Sequence, residues 1–188
     1  MHTWALQLRP QQKGWAIGFE LLLVTLGSLF LAGMAQIAFY LWFTPVPVTM
    51  QTFAVLLLGA CLGSKRGAFA VLLYLAEGAL GLPFFAGGGF GLAYLLGVKA
   101  GYLLGFLPAA YLVGLLFERG AAKSYLNTFL AMTLGSTIIL GCGALWLSQF
   151  VGFSGALSLG VFPFLLGDLL KVGAATAALP TISRFLQK

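Results

Sequence analysis

Residues 15–43 read WAIGFELLLVTLGSLFLAGMAQIAFYLWF, an apolar run in which Glu20 is the one charged side chain. A helix needs about 20 apolar residues to cross a hydrocarbon core that is about 30 Å thick. The run is longer than that, and Thr44-Pro45-Val46-Pro47 ends it, because proline disfavours helical backbone in itself and in the residue before it. The stretch therefore predicts a first membrane helix at about residues 15–43.

The composition points to a membrane environment for the whole chain. Of its 188 residues, 61% are hydrophobic and 7% are charged, whereas a soluble domain carries about 25% charged residues. Ten bases against four acids give a formal charge of +6. These bases lie between the apolar runs, as in cytoplasmic membrane loops, and do not cluster with aromatic residues. We therefore expect a lipid bilayer around the chain and no nucleic-acid partner.

Side chains that bind metals or perform catalysis are scarce. Cys61 and Cys142 lie inside apolar runs without C-x-x-C spacing, and His2 is the one histidine. The sequence predicts no metal site, no cofactor and no disulfide framework. It also predicts no enzyme, because we find no pairing of a nucleophile with a base and no cluster of histidines and acids. The polar first fourteen residues and the long run after them predict no cleaved signal peptide.

The rest of the chain predicts five more helices, at about residues 50–62, 67–80, 99–117, 124–150 and 157–186. The segment Gly63-Ser64-Lys65-Arg66 is placed at a membrane surface, because two adjacent cations at bilayer depth would be costly. Residues 81–97 combine six glycines and Pro83 with aromatic and leucine residues, which predicts a packed loop. The predicted fold class is an all-α integral membrane protein, a six-transmembrane-helix bundle in which residues 1–188 form one substrate-binding domain.

The basic residues predict the orientation of this bundle. Six spans put both termini on the same side as the connections between helices 2 and 3 and between helices 4 and 5. That side holds eight of the ten bases: Arg9, Lys13, Lys65, Arg66, Arg119, Lys123, Arg184 and Lys188. By the positive-inside rule both termini are cytoplasmic. A five-span alternative would bury Lys65 and Arg66 and is disfavoured.

Asp168 and Lys171 are the first candidates for function. They lie three residues apart inside the last predicted helix and therefore share a face, which must look into the bundle. One interpretation is a structural ion pair. We favour the other, a binding site, because an apolar pair would satisfy the fold at lower cost and ionisable residues inside a membrane are usually functional. A carboxylate beside an ammonium can recognise a neutral urea-like group, accepting from its N–H and donating to its C=O.

Three segments that face outward in this topology add further candidates. Lys99 opens the fourth helix, where it can pair with an anionic group or extend to the lipid headgroups. Residues 44–52 carry Thr49, Gln51 and Thr52 on a path stiffened by prolines, either a cap on a pocket or an ordinary connector. Gly87-Gly88-Gly89-Phe90-Gly91 lacks the spacing and context of a phosphate loop. Its glycines instead predict close approach of backbone to a ligand or to the last helix.

Helix 1 carries a stripe of small residues, Ser28, Ala32 and Ala35. Small residues spaced by four let helices approach closely in a membrane. The stripe predicts either packing inside the chain or a docking face for another membrane subunit. Glu20, near the inner end of the helix, is expected to reach the interface, and Glu77, near the outer end of helix 3, is left without a role.

Four motifs, in this order along the chain, resemble the BioY family, the biotin-specific S components of energy-coupling factor (ECF) transporters. They are Pro45-Val46-Pro47-Val48-Thr49-Met50-Gln51-Thr52, Gly81-Leu82-Pro83-Phe84-Phe85-Ala86-Gly87-Gly88, Gly101-Tyr102-Leu103-Leu104-Gly105-Phe106, and Gly167-Asp168 with Lys171. The resemblance implies six helices in a bacterial inner membrane, capture of biotin near the outer face, and closure by the loops after helices 1 and 3. It also implies three partner subunits, a transmembrane coupling protein and two cytoplasmic ATPases.

The resemblance implies roles for individual residues as well. Asp168 and Lys171 contact the bicyclic head of biotin, and Lys99, which departs from the threonine or arginine of other members, is the expected partner of the valerate carboxylate. The other substrate-binding residues implied are Tyr102, Gly87, Gly88, Gly89, Phe85, Thr49 and Gln51. Ser28, Ala32 and Ala35 are implied to contact the coupling protein. Biotin is the ligand here, not a cofactor.

One rival function is a self-sufficient secondary transporter for biotin or another small vitamin. In that case Asp168 would carry a coupling proton, and inverted repeats with broken helices would be expected. We find no such repeat in the sequence. An ATP-driven importer whose ATPases are separate subunits is therefore the favoured hypothesis.

Overall fold

Helices dominate the computed structural model, which describes residues 13–186 and the side chains of residues 17–181. The elements are α1 (Lys13–Gln36), β1 (Ala38–Phe39), β2 (Val48–Thr49), α2 (Gln51–Leu62), α3 (Ser64–Ala79), α4 (Leu92–Leu95), α5 (Ala100–Glu118), α6 (Tyr125–Gly160) and α7 (Phe162–Leu186). Single 3-10 turns lie at Ala86–Gly88 and Ala121–Lys123. Several residues used in the sequence predictions lie outside the described residues: His2, Arg9, Lys188 and the side chains of Lys13 and Arg184.

Within the described chain, four helices are long and apolar enough to cross a membrane. They comprise Ile17–Gln36, Ala100–Glu118, Tyr125–Gly160 and Phe162–Thr181. Helices α2 and α3 have 12 and 16 residues and extend about 18 and 24 Å at 1.5 Å per residue. The prediction of two short helices at this place is confirmed, and both pack on the longer α5.

The first helix is shorter than predicted. It ends at Gln36 and not at Phe43, so that part of the prediction is wrong. Beyond Gln36 the chain forms an antiparallel hairpin whose two strands have two residues each. Ala38 pairs with Thr49, and Phe39 pairs with Val48. The prolines after Thr44 favour extended backbone, and the hairpin supplies the hydrogen bonds that a helix would otherwise provide. The start of the hairpin is rich in aromatic residues, which are common at the membrane–water interface. Because these residues are also hydrophobic, a hydropathy pattern does not distinguish them from the end of a membrane helix.

Helix α3 begins at Ser64, three residues before the predicted start at Gly67. Gly63 has a positive φ of 89°, a conformation that glycine adopts without strain and that turns the chain sharply between α2 and α3. The carboxylate of Glu118 then accepts hydrogen bonds from the Ser64 amide at 2.7 Å and the Ser64 hydroxyl at 3.0 Å. An acid at a helix N-terminus satisfies free N–H groups, which explains the earlier start.

Helices α6 and α7 also differ from the predicted bounds of 124–150 and 157–186. Helix α6 continues to Gly160, with a kink at Gly152, whose φ is 73°. Helix α7 starts only at Phe162. The helix is thus interrupted inside the predicted gap of residues 151–156, but the interruption is a kink at one glycine and not a six-residue loop.

Helix α5 lies against α2, α3 and α6, and glycines permit its close approach. A Cβ on Gly59 of α2 would collide with the backbone of Ala110, and one on Gly114 of α5 would collide with the backbone of Gly63 and Ser64. Buried side chains such as Val55, Phe106 and Ile139 fill the remaining space. This packing holds α5, whose first residues border the candidate site, against its three neighbouring helices.

Candidate functional site

Asp168 and Lys171 form an ion pair inside the bundle. The Lys171 Nζ lies 3.2 Å from Asp168 Oδ1, and the side chains are 11% and 8% exposed, respectively. The ammonium also donates to the Thr49 carbonyl at 2.7 Å and to the Thr52 hydroxyl at 2.9 Å. The predicted inward face of the last helix is thus confirmed, and the pair joins it to the start of α2.

Two hydroxyls complete the surroundings of the carboxylate. Ser136 on α6 donates to Asp168 Oδ2 at 2.6 Å, and Thr52 donates to Asp168 Oδ1 at 3.3 Å. Hydrogen bonds to an ionised acceptor are strong, so the buried charge is compensated from three elements. Thr52 was named with the outward segment of residues 44–52 but not among the predicted substrate-binding residues. Ser136 was missed because a serine in an apolar helix gives no local signal.

A cavity of about 40 Å³ borders this pair. Its lining brings together five predicted site residues, Thr49, Gln51, Lys99, Tyr102 and Lys171. The other lining residues, which the sequence did not assign to the site, are mainly apolar: Val46, Pro47, Thr52, Ala86, Tyr94, Leu103, Phe106, Leu140 and Phe164. Asp168 lies behind Lys171 and does not line the cavity.

Lys99 brings a second ammonium to the same cavity. Its Nζ donates to the Tyr94 hydroxyl at 3.2 Å and lies 4.7 Å from the centre of the Tyr94 ring. In the part of the chain that the structure describes, no carboxylate pairs with it. Burial lowers the pKa of Lys99 from its usual value and raises the pKa of Tyr94 to about 12, so this phenol is neutral at physiological pH.

The glycine-rich loop packs over the cavity without lining it, apart from Ala86. Phe85 is fully buried and stacks on Tyr94 with ring centres 5.0 Å apart. Gly87 and Gly88 have φ of 69° and 71°, and a Cβ on Gly87 would collide with the Tyr40 hydroxyl. Phe85, Gly87, Gly88 and Gly89, which were predicted to bind substrate, therefore lie behind the cavity lining and support it. Gly89 closes the turn by accepting from the Phe85 amide at 3.0 Å.

Tyr102 links the cavity to the far end of α6. Its hydroxyl donates to the Gly160 carbonyl at 2.7 Å, and its ring centre lies 6.1 Å from that of Phe164. The hydroxyl is satisfied by backbone, so Tyr102 presents its ring to the cavity. A ligand would meet an apolar surface at this position.

The small-residue stripe of α1 faces the interior. Ser28 and Ala35 are fully buried and Ala32 is 6% exposed. The Ser28 hydroxyl donates to the carboxylate of Glu77 on α3. These positions fit the packing alternative. The docking alternative stays a prediction, and it would require this packing to open, because side chains without exposed surface cannot contact a partner. Glu77 thereby gains a structural role, and Glu20 pairs with Arg66 of α3.

A larger groove of about 930 Å³ lies between α1 and α3. Three of its four charged residues are engaged within the chain, since Glu20 pairs with Arg66 and Glu118 binds Ser64, while the fourth, Lys65, is exposed. Its remaining walls are mostly aliphatic and include Leu21 and Leu72, which are exposed on the outer surface of the bundle. Chemistry rather than volume therefore identifies the candidate site as the smaller cavity.

The sequence model that describes the BioY family matches residues 11–188. The chain belongs to the BioY family. Among relatives, it is 42% identical over 135 residues to the probable biotin transporter BioY of Pyrococcus horikoshii, which covers 72% of this chain and 78% of that protein. It is 41% identical over 152 residues to the biotin transporter BioY of Rhodobacter capsulatus, covering 74% of this chain and 80% of that protein.

A solved structure has the same fold as this BioY chain. It is the crystal structure of the S-component for biotin from an ECF-type ABC transporter, with a TM-score of 0.81. The match covers 93% of this chain and 95% of that one at 23% sequence identity. The likeness shows that the arrangement of helices described above is shared with a transporter component.

The arrangement in this BioY chain suits recognition of a small amphipathic ligand. Apolar rings and aliphatic side chains form most of the cavity, and few polar groups converge on it, as is usual for ligand sites. Its two ammonium groups can donate hydrogen bonds, and the hydroxyls of Thr49 and Thr52 can donate and accept them.

Proposed function

We propose that this chain is the substrate-binding S component of an ECF-type importer and that its ligand is biotin. Membership of the BioY family and relatives that are named biotin transporters support this ligand. The observation that carries the proposal is the buried Asp168–Lys171 pair, whose ammonium borders an apolar cavity. A pair that served packing alone would not need a cavity beside it.

Biotin offers the groups that this cavity can recognise. Its ureido head has N–H donors for a carboxylate and a carbonyl acceptor for an ammonium, which match Asp168 and Lys171. Its sulfur-containing ring is apolar and fits beside Phe106 and Phe164. The valerate carboxylate needs a cation, and Lys99 has no acidic partner in the described part of the chain.

Binding requires movement of the cavity walls. A volume of about 40 Å³ is far below the roughly 300–1,000 Å³ of ordinary ligand sites. Asp168 also lies behind Lys171, so the ammonium has to shift before the ureido head reaches the carboxylate. The hairpin of residues 38–49 and the loop of residues 84–91 cover the cavity and are the segments that move.

We further infer a six-span topology with both termini in the cytoplasm of a bacterial cell. The alternation of bases along the sequence supports it, because Lys65, Arg66, Arg119 and Lys123 all fall on the cytoplasmic side. The partners are a transmembrane coupling protein and two cytoplasmic ATPases, which supply the energy. The chain itself binds and releases biotin without chemical change.

Isothermal titration of the purified protein with biotin tests the proposal. We expect saturable binding, weakened by at least about 2 kcal/mol, or about thirtyfold, in Asp168→Asn and Lys171→Ala, because each change strands a buried polar partner. Lys65→Ala is the matched control, since Lys65 is exposed and lies outside the cavity. It should bind biotin like the unmodified chain.

Two results would contradict this function. One is the absence of both heat and competition when biotin is added to protein that remains monodisperse and keeps its melting temperature. The other is unchanged biotin affinity in Asp168→Asn and Lys171→Ala. Melting temperatures of all variants separate loss of binding from loss of folding.

A further inference from the structure

Tyr74 on α3 lies between the cavity and the loop that covers it. It is fully buried and does not line the cavity. Its hydroxyl accepts a hydrogen bond from Gln51 Nε2 at 2.5 Å and donates a longer one, at 3.4 Å, to the Phe84 carbonyl. One hydroxyl therefore connects a cavity residue to the backbone of the covering loop.

The hydrogen bonds on the cavity side run in one direction. Lys171 donates to the Thr49 carbonyl at 2.7 Å, and the Thr49 hydroxyl donates to Gln51 Oε1 at 3.0 Å. The amide of Gln51 then donates to Tyr74, so that each donor in the chain has a defined acceptor. The orientation of the Gln51 amide in the cavity is thus set by two buried neighbours.

A second set of contacts leads from the Tyr74 ring to the other ammonium. The ring meets the edge of Phe85 with centres 5.5 Å apart, and Phe85 stacks on Tyr94 at 5.0 Å. Tyr94 in turn accepts from Lys99 and donates to the Ala86 carbonyl at 3.2 Å. Tyr74 is accordingly the point where contacts from both cavity lysines meet.

Gln36 at the end of α1 is a second anchor for the loop. Its amide nitrogen lies 3.2 Å from the carbonyl oxygens of Phe84 and Phe85, and its oxygen accepts from the Gly88 amide at 3.1 Å. Gln36 is exposed, so water can replace these bonds at little cost. Loss of the buried Tyr74 hydroxyl instead leaves the Gln51 amide without its acceptor, which is costly.

We propose that Tyr74 is a positioning residue for ligand retention: without touching the ligand, it holds Gln51 and the loop of residues 84–91 in the arrangement that keeps the cavity closed. The inference rests on the proposed function. The proposal requires that the cavity widens around the ligand by movement of Lys171 and the hairpin while the bonds of Tyr74 to Gln51 and Phe84 stay formed. Removing the hydroxyl then acts on the closed, occupied form, because in an open form water can reach both Gln51 and the Phe84 carbonyl. The rate of ligand dissociation should therefore change more than the rate of association.

The test is Tyr74→Phe, which removes the hydroxyl and keeps the ring that packs on Phe85. With biotin as the probe, we expect dissociation to become about tenfold faster, the scale of one unsatisfied buried donor, while association stays within about twofold. The matched control is Tyr111→Phe, because Tyr111 is 46% exposed and lies outside the cavity. It should leave both rates unchanged.

The mobility of a spin label on the loop distinguishes the positioning role from a role in packing alone. Phe90 is 60% exposed, so a cysteine introduced by Phe90→Cys can be labelled in a Cys61→Ala, Cys142→Ala background. Biotin should restrict the label when Tyr74 is present and restrict it less in Tyr74→Phe. Gln36→Ala serves as the second variant, at the surface, and should accelerate dissociation by a smaller factor.

The outcomes are distinct. Unchanged dissociation in both Tyr74→Phe and Gln36→Ala, in protein that binds biotin, overturns the positioning role and leaves the proposed function intact. Equal changes in association and dissociation, with the label unaffected, also overturn it. No biotin binding by the folded unmodified chain is instead the failure of the proposed function.

Discussion

At the residue scale, the carboxylate of Asp168 is held by donors from three elements. Lys171 comes from its own helix, Thr52 from α2 and Ser136 from α6. Each donor removes part of the cost of placing a charge in an apolar interior. The carboxylate is therefore fixed before a ligand arrives, and its orientation depends on helices that are distant in sequence.

Ser136→Ala should weaken biotin binding about tenfold. The change leaves Asp168 Oδ2 without its 2.6 Å donor, and a charged acceptor that loses a buried hydrogen bond costs about 1.5 kcal/mol or more. Isothermal titration measures the effect. Ser148→Ala on the same helix is the control, because the Ser148 hydroxyl only donates to its own helix at Leu145. Equal affinities in the two variants would contradict the role of Ser136.

Lys99 should make biotin binding depend on pH. Only the ammonium form pairs with a carboxylate, and burial lowers the pKa of Lys99 below its usual 10.5. Below that lowered pKa the lysine is charged and affinity is highest. As the pH rises through it, the amine becomes neutral and affinity falls. Titrations at a series of alkaline pH values should show this decline.

Two substitutions isolate the contribution of Lys99 from that of other groups. Lys99→Met should bind biotin more weakly and remove this part of the pH dependence. Lys99→Arg should keep binding at high pH, because a guanidinium stays protonated. If the biotin affinity of Lys99→Met fell at alkaline pH by the same amount and with the same midpoint, another residue would be responsible for the titration. That result would contradict the pairing of Lys99 with the valerate carboxylate.

Local chemistry explains which site residues the sequence predicts. Asp168 and Lys171 stand out because charges are rare in an apolar helix, whereas Ser136 and Tyr94 acquire their roles only through partners from other elements. The small residues of α1 show the reverse case. Ser28 and Ala32 predict close packing correctly, but the sequence does not say which neighbour they pack against, and the structure places them inside the chain.

At the element scale, the approach of α5 to the turn between α2 and α3 depends on Gly114. A Cβ there would collide with the backbone of Gly63 and Ser64, which cannot move aside as a flexible side chain can. Gly114→Ala should cost about 1–3 kcal/mol, as overpacking usually does, and lower the melting temperature in detergent by roughly 5 °C.

The control for Gly114→Ala is Gly173→Ala on α7. Gly173 is exposed, and no atom lies within 4 Å of a Cβ built on it. Alanine favours helix over glycine, so this variant should melt at or above the temperature of the unmodified chain. If both variants melted alike, the close approach of α5 would not limit stability.

Element boundaries are harder to predict than the elements themselves. The apolar run 15–43 contains both a membrane helix and the start of a hairpin, and hydropathy is the same for both. The end at Gln36 depends on pairing of Ala38 with Thr49, a contact that no window of sequence around Gln36 contains. The kink at Gly152 is likewise set by one backbone angle in a continuous apolar run.

At the scale of the whole molecule, charged groups and the candidate site lie in different parts of the bundle. Lys65 and Arg66 lie at the start of α3, beside Glu118 at the end of α5, so one end of the bundle collects charged groups. The cavity lies among the hairpin, the glycine-rich loop and the first residues of α5. The proposed function requires these two regions to face opposite compartments.

Cysteine labelling across α3 tests this orientation with two positions that flank one helix. Lys65 and Leu82 are exposed, and α3 between them extends about 24 Å at 1.5 Å per residue, close to the thickness of a hydrocarbon core. In a Cys61→Ala, Cys142→Ala background, a membrane-impermeant maleimide should label Leu82→Cys on intact cells and Lys65→Cys only after lysis. Labelling of both positions on intact cells would mean that α3 does not cross the membrane. Labelling of Lys65→Cys alone would place the cavity on the cytoplasmic side, where it could not capture a vitamin from outside.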